Sequence, residues 1–322
     1  MIIDHPPFTK SMHPLRALVL SLLLASLTLF VQPDTARAYP FWAQQVAPET
    51  PREATGKIVC ANCHLAEQSI QLEVPQAVFP DTVFKAAVKV PYKKGTLELA
   101  GDGSQVPLQV GAVLMLPEGF HLAPEDRIPE DLREEMEGTY YSTYNTDSDN
   151  VIIVGPLPGD EHQELVFPVL SPDPAQQSSI HFGKYAVHGG GNRGRGQLYP
   201  TGERSNNGPW MADVTGEVTG VDANEDGSQV VHVATDGDTV VDTVIPVGLE
   251  VIVAPGETVA AGSPLTNDPN QGGFGQMDTE IVLQSPWRIW GMLGFFALIL
   301  ATQIFFVLKK RQVERVQAAG QL

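Results

Sequence analysis

TVFKAAVKV, residues 82–90, is an apolar run closed by Pro80-Asp81 on one side and Pro91 on the other. A β-branched and aromatic run between turn-formers reads as a strand. The same pattern recurs outward along the chain: NVIIV at 150–154, ELVFPVL at 164–170, QVVHVA at 229–234, LEVIVA at 249–254 and EIVL at 280–283. With 30 Gly and 26 Pro among 322 residues, turns are frequent, and the expected class is mainly β, a sandwich or barrel. Helix is expected to be sparse. Residues 125–137 read as a short acidic surface helix. Thr50-Pro51-Arg52-Glu53 has the form of a capping box with Pro at the first helical position, so a second short helix is expected to open there.

Composition excludes several classes. Twenty Lys and Arg against 38 Asp and Glu give a net charge of −18, so nothing would neutralise the phosphates of a nucleic-acid partner. The acidity is spread through apolar segments rather than blocked, unlike a disordered acidic tail. Two cysteines are too few for a disulfide framework.

Both ends are apolar. Lys10 and Arg16 precede an uncharged run at 17–31, followed by the small-x-small site Ala36-Arg37-Ala38. This order reads as a secretory signal over residues 1–38, with an uncleaved N-terminal anchor as the alternative. The run is short for a hydrocarbon core of ~30 Å. Cleavage after Ala38 would make Tyr39 the first residue. At the other end, residues 289–308 carry no charge, with Trp287 and Trp290 at one border and Lys309, Lys310 and Arg311 at the other. Aromatic residues at one interface and basic ones at the other suggest a transmembrane helix over 287–308 and a short cytoplasmic tail over 309–322. A buried core helix is the alternative. Arg288 can snorkel.

Between the ends, residues 39–286 hold 12 Lys and Arg against 35 Asp and Glu, a net charge of −23. Residues 205–270 have no basic residue and 11 acidic ones, which marks a small inserted β domain. The large β domain would then comprise 39–204 and 271–286. Within the insert, IPVGLEVIVAPGETVAAGSPL at 245–265 looks similar to the second half of biotinyl/lipoyl-type hammerheads. Those carriers need an exposed Lys in a hairpin, and this segment has none.

Both cysteines lie in Cys60-Ala61-Asn62-Cys63-His64. On a helical turn, positions i and i+3 share a face, so both thiols can reach the two vinyl groups of one haem. His64 then projects toward iron as an axial ligand. The pattern reads as covalent attachment of one c-type haem. A thioredoxin-like dithiol would want a βαβ context, and a zinc site two further ligands. Spacing gives no pointer to a sixth ligand among His121, His162, His181, His188, His232, Met115, Met136 and Met211.

Long blocks resemble the cytochrome f family. They are YPFWAQQ at 39–45, ATGKIVCANCH at 54–64, VPQAV at 74–78, GAVLMLPEGF at 111–120, GGNRGRGQ at 190–197 and the tail around Lys309-Lys310. The resemblance covers the whole mature chain. It implies a large haem-bearing β-sandwich, a small inserted β domain and one membrane anchor. It further implies that the α-amino group of Tyr39 is the sixth ligand, with Pro40 and Trp42 packing on the haem. A free amine titrates near ~8 and must lose its proton to bind iron. Pro40 restricts Tyr39 to extended conformations. The family more often carries Phe at the Trp42 position. Asn192 and Gln197 match residues that line a chain of buried waters in the family; a Gly-rich loop with satisfied polar side chains is the alternative.

By the same resemblance, the chain would be an electron-transfer subunit, not an enzyme alone, of the plastoquinol-oxidising cytochrome bf complex. It would sit in the thylakoid membrane with its ectodomain in the lumen, beside the b-type cytochrome and the other subunits. The electron would come from a Rieske iron–sulfur protein and pass to plastocyanin or a small soluble c-type cytochrome. The rivals are a haem subunit of a respiratory quinol oxidase complex, a haem sensor with a replaceable sixth ligand, and a purely structural ectodomain. Two further motifs carry less. Gly189-x-Gly191-x-x-Gly194 matches a dinucleotide fingerprint, but Arg195, Gly196 and Pro200 follow it instead of a helix. Asp222-x-Asn224-x-Asp226-Gly227 begins like an EF-hand loop but has Val233 at the twelfth position, so a hairpin turn is expected.

Overall fold

The computed structural model describes residues 41–237 and 239–320. The expected signal segment, Tyr39 and Pro40 lie outside the described residues. Two sheets build the main body. The first has the order β1 (Gln71–Glu73), β3 (Val83–Lys89), β10 (Glu164–Leu170), β7 (His121–Leu122), all antiparallel. The second has the order β2 (Ala77–Val78), β16 (Gly273–Leu283), β11 (Gly183–Arg193), β6 (Gln109–Met115), β9 (Val151–Pro158), β8 (Tyr141–Thr143). Only the β2–β16 pair is parallel in it.

Side-chain alternation makes these two sheets a sandwich. Phe84, Ala86 and Val88 of β3 and Leu165, Phe167 and Val169 of β10 share one buried cluster with Val110, Ala112 and Leu114 of β6, Ile152 and Val154 of β9, and Ile281 and Leu283 of β16. Gly189 and Gly191 of β11 face this interior. A Cβ on Gly189 would lie 3.0 Å from Leu72, and one on Gly191 would lie 2.8 Å from Val90. The glycine run of the apparent dinucleotide motif therefore serves close sheet packing within a strand.

A third sheet has the order β14 (Val240–Ile245), β13 (Gln229–Ala234), β12 (Gly216–Ala223), β15 (Thr258–Val259). It carries its own core of Val218, Val231, Val233, Ile245, Leu249, Val259 and Leu265. The EF-like segment is the β12–β13 turn, where Ser228 donates its N–H to Asp226 (3.0 Å). Leu99, the last residue of β4 (Leu97–Leu99), which pairs with β5 (Gln105–Pro107) in a two-stranded ribbon, reaches into that core.

Helix is sparse outside the C-terminal segment, and two expected helices differ. Residues 125–137 form a 3-10 turn at Glu125–Arg127 and a separate α2 at Glu130–Glu135. Pro129 divides them: it lacks an N–H and holds Ile128 extended, at φ −74° and ψ 122°. No helix opens at Thr50. Thr50 Oγ1 instead accepts the Arg52 N–H (3.3 Å) in a local turn, and Arg52 forms a bridge with Ile58. The short helix lies earlier, as α1 (Phe41–Val46). LEVIVA is reduced to an isolated bridge between Val251 and Thr266. The final helix, α3 (Pro286–Ala319), is capped by Ser285, with Pro at its start. It is long and apolar enough to cross a membrane.

Candidate functional site

The outer face of the six-stranded sheet, away from the sandwich core, is also apolar. Val113 and Met115 of β6, Ile153 of β9 and Phe274 of β16 form a second buried cluster with Ile58 and Tyr144. Ala43 of α1 and Cys60 and Ala61 pack against it. The two-cysteine motif thus lies over a β-sheet face, covered by the amino-terminal helix.

The motif is a 3-10 turn, Val59–Asn62, with Cys63 as its C-cap. Residues i and i+3 eclipse in that geometry, so Cys60 and Cys63 share a side. The Cys60 carbonyl accepts the N–H groups of Cys63 (3.2 Å) and His64 (3.0 Å). Neighbouring segments fix the turn from both ends. Gln276 of β16 accepts the Ile58 N–H through Oε1 and donates Nε2 to the Gly56 carbonyl, each at 2.9 Å. The Gln197 N–H donates to the Cys63 carbonyl (2.8 Å), while Gln197 Oε1 accepts the Leu65 N–H (2.8 Å). Gly196 is needed there, because a Cβ would stand 3.1 Å from the Cys63 carbonyl oxygen.

His64 is 8% exposed, and its buried Nδ1 has no protein partner. Burial lowers its pKa to about 4, which leaves the ring neutral and able to ligate. Burial raises Cys60 to about 12 and also raises Cys63, so both remain thiols. Zinc binds thiolates, and the described residues hold no group of three or more His, Cys, Asp or Glu placed around a metal ion. Two protonated thiols and one neutral imidazole over an apolar floor fit a covalently held macrocycle that brings its own metal donors.

The other expected site residues are distributed unevenly. Trp42, on α1, meets the Tyr199 ring edge-on at 6.1 Å between centroids. Asn192 lies on β11 and borders a small cavity of about 10 Å³ with Glu98, Gln109 and Arg195, room for roughly one water. Gln197 reaches both the cysteine turn and, through Nε2, the carbonyl of Arg195 (3.4 Å), which borders that cavity. Of the side chains weighed as sixth ligand, Met115 shares a cluster with Cys60. His232 and Met211 belong to the third sheet and its surroundings, and His121 to the opposite sheet of the sandwich.

Sequence reasoning did not find the buried junction beside the site. Glu98 is 3% exposed and Arg195 6%. Glu98 accepts the N–H groups of Arg195 (2.6 Å) and Gln109 (3.1 Å). The Arg195 guanidinium donates to the Leu99 carbonyl (2.6 Å), Asn206 Oδ1 (2.8 Å) and the Tyr199 hydroxyl (3.2 Å). No periodicity marks a charged residue between two glycines as buried.

The family model described as Apocytochrome F, N-terminal, matches residues 39–194, and Apocytochrome F, C-terminal, matches 206–321. Cytochrome f of Synechococcus sp. (strain WH7803) is 60% identical over 297 residues, 92% of this chain and 96% of its own length. Cytochrome f of Rippkaea orientalis is 59% identical over 321 residues, 98% of each chain. With two family models matching residues 39–194 and 206–321, and with a CxxCH turn packed on an apolar sheet face, the chain belongs to the cytochrome f family.

Proposed function

We propose that this chain is the membrane-anchored, single-haem c-type cytochrome of a cytochrome bf complex, receiving an electron from a Rieske iron–sulfur protein and passing it to a soluble lumenal carrier. The observation that carries the reading is the 3-10 turn that presents Cys60 and Cys63 on one side, with neutral, buried His64 next to them. Haem bound there supplies a one-electron iron couple. Cys60 and Cys63 tether it through thioethers, and His64 is the fifth ligand. The outer cluster of Val113, Met115, Ile153 and Phe274 excludes water beneath it.

The sixth ligand is the α-amino group of Tyr39, freed by removal of residues 1–38. Support comes from α1, which begins two residues later, at Phe41, and packs through Ala43 against the cluster that holds Cys60. Tyr144 donates its hydroxyl to the Ala47 carbonyl (2.7 Å), which pins the end of that segment. Pro40 and Trp42 would shield the iron, and Asn192 and Gln197 would line a chain of buried waters leading from the haem. The large domain is 39–204 with 271–286, the small domain 205–270, the anchor 287–308 and the cytoplasmic tail 309–322.

Intact mass and N-terminal sequencing test haem attachment and the Tyr39 terminus together. The expected product starts at Tyr39 and carries one haem. An additional Ala retained before Tyr39 displaces the amine by up to ~3.8 Å and is expected to change the reduced-haem spectrum and midpoint potential. If both match the wild type, the ligand is a side chain, and Met115 is the first to substitute.

A further inference from the structure

Exposed aromatic residues gather at the end of the six-stranded sheet from which the chain enters α3. β2, β16 and β11 lie side by side there, with Val78 paired to Leu283 and Leu283 to Gly183. β2 runs parallel to β16 and β11 antiparallel, so the next row at that end is Phe79, Gln284 and Phe182. Strands stand about 4.8 Å apart, which puts the backbones of Phe79 and Phe182 roughly 10 Å from each other, on either side of the exit. The chain then passes through Ser285 into α3 at Pro286. Phe79 is 48% exposed, Phe182 38%, Trp287 84% and Trp290 68%.

Neither Phe sits on a loose loop. The Phe79 carbonyl accepts from Ser171 Oγ (2.6 Å), which in turn accepts the Thr82 N–H (3.0 Å). Asp81 holds φ 53°, unusual for a residue with a Cβ, and Arg127 donates to its carbonyl (2.8 Å). On the other side, the Tyr185 hydroxyl accepts the His181 N–H (3.1 Å) and donates to the His181 carbonyl (2.5 Å). The charges nearby are matched: Asp81 pairs with Arg127, and Lys184 with Glu280. A surface meant only for water has no use for two aromatic rings fixed outward. Aromatic rings belong at the boundary between headgroups and acyl chains, and the adjoining anchor brings them there.

We infer that Phe79 and Phe182, with Trp287 and Trp290, form an aromatic collar that seats this end of the sandwich in the lipid interface. The collar rests on the reading of α3 as a membrane anchor. It restrains the ectodomain at a second and third point, where a single helix connection alone would let it swing.

Full-length haem protein in phosphatidylcholine nanodiscs tests this by spin labelling. Labels go on Phe79→Cys and Phe182→Cys, with Asp226→Cys in the β12–β13 turn as the water reference and Leu298→Cys in α3 as the lipid reference. Ala77→Cys, also exposed, replaces Phe79→Cys if that variant does not accumulate, and a wild-type reduced-haem spectrum certifies each fold. The ratio of oxygen to nickel-chelate collisions is expected to be several-fold higher at Phe79 and Phe182 than at Asp226, and lower than at Leu298. Ratios equal to that at Asp226, with Leu298 reading lipid, overturn the collar. So does shielding that appears only in the assembled complex, which would assign these rings to a protein neighbour. A Leu298 label in water would instead defeat the anchor reading itself.

Discussion

Arg195→Met should destabilise the protein far more than a surface charge change. The guanidinium serves the Leu99 carbonyl, Asn206 Oδ1 and the Tyr199 hydroxyl at 2.6–3.2 Å, inside a junction where Arg195 is only 6% exposed. Methionine fills similar volume but leaves the Leu99 carbonyl and Asn206 Oδ1 without this donor. Each stripped acceptor costs ~1–3 kcal/mol, and breaking a buried charged contact typically costs ~3–5 kcal/mol in all. At ~2–4 °C per kcal/mol for a body of this size, Tm should fall by roughly 6–20 °C. The pH dependence adds a second signature. Burial raises the Glu98 carboxyl above its ordinary 4.5, against the backbone N–H groups of Arg195 and Gln109 and, least of the three, the Arg195 charge, which hold it down. Losing Arg195 raises it further. A carboxyl whose folded pKa lies above its unfolded one binds its proton more tightly when folded. Its stability contribution is therefore complete below the unfolded pKa and lost as pH rises through the folded one. The deficit of Arg195→Met should thus grow from acidic toward neutral pH. Thermal unfolding of detergent-solubilised full chain, followed by circular dichroism across a pH series, reads both effects. A Tm within a few degrees of wild type, or a deficit that shrinks toward neutral pH, would refute the argument.

Gly190→Ala places a Cβ 2.5 Å from the Phe274 ring and 3.1 Å from Ile58, so overpacking of ~1–3 kcal/mol and a displaced haem band are expected. Gly183→Ala on the same strand, where no atom lies within 4 Å, should leave the spectrum unchanged. His232 lies between Asp242 (2.7 Å) and Asp222 (3.2 Å), and its hydrogen bond to Asp242 raises its pKa most. Its stabilisation is full below 6.5 and lost as pH rises through the higher folded pKa, so amide exchange in β13 should accelerate above neutrality, and His232→Gln should abolish that step. The charge of −23 over 39–286 favours an acceptor that is neutral or basic at its docking face, or mainly apolar docking, and rates with a basic acceptor should fall as salt rises. Stopped-flow oxidation that is faster with an acidic acceptor and slowed by salt would show that a local basic patch, with Lys93 and Lys94 the first to test, outweighs the net charge.

Much of this was legible in the chain itself. ELVFPVL and QVVHVA are strands over the residues expected, because β-branched runs between turn-formers have few alternatives. The spacing of Cys60 and Cys63 implies a helical turn with both on one side, and the chain forms a 3-10 turn at Val59–Asn62. Readings based on helical signals alone fared worse: Pro129 divided the acidic segment, and Thr50 used its hydroxyl for a local turn that competes with a cap. What stayed hidden depends on contacts between distant residues. Gln276 and Ile58 are 218 positions apart, and Arg195 and Leu99 are 96 apart. Their partners exist only once the strands have paired. The role of the glycines at 189–191 stayed hidden for the same reason, since a fingerprint reads spacing, while close sheet packing depends on Leu72 and Val90.

The burial of β6 explains why the cysteine motif sits where it does. An antiparallel sheet commonly packs one face and wets the other. Yet Val110, Ala112 and Leu114 fill the sandwich while Val113 and Met115 are buried on the opposite face. That second face must be covered by something, and the cover is short: a six-residue helix, a 3-10 turn and the side chains around them. Neither piece could hold its place by its own hydrogen bonds, since isolated helices of this length are marginal in water. Gln276, Gln197 and Tyr144 hold them through distant contacts. A covalently attached haem would add a large apolar plate to the same layer and join the turn to the amino end. In that arrangement the redox group would be part of a second core. The rigidity that an electron carrier needs against reorganisation would then come from the packing that its own attachment completes.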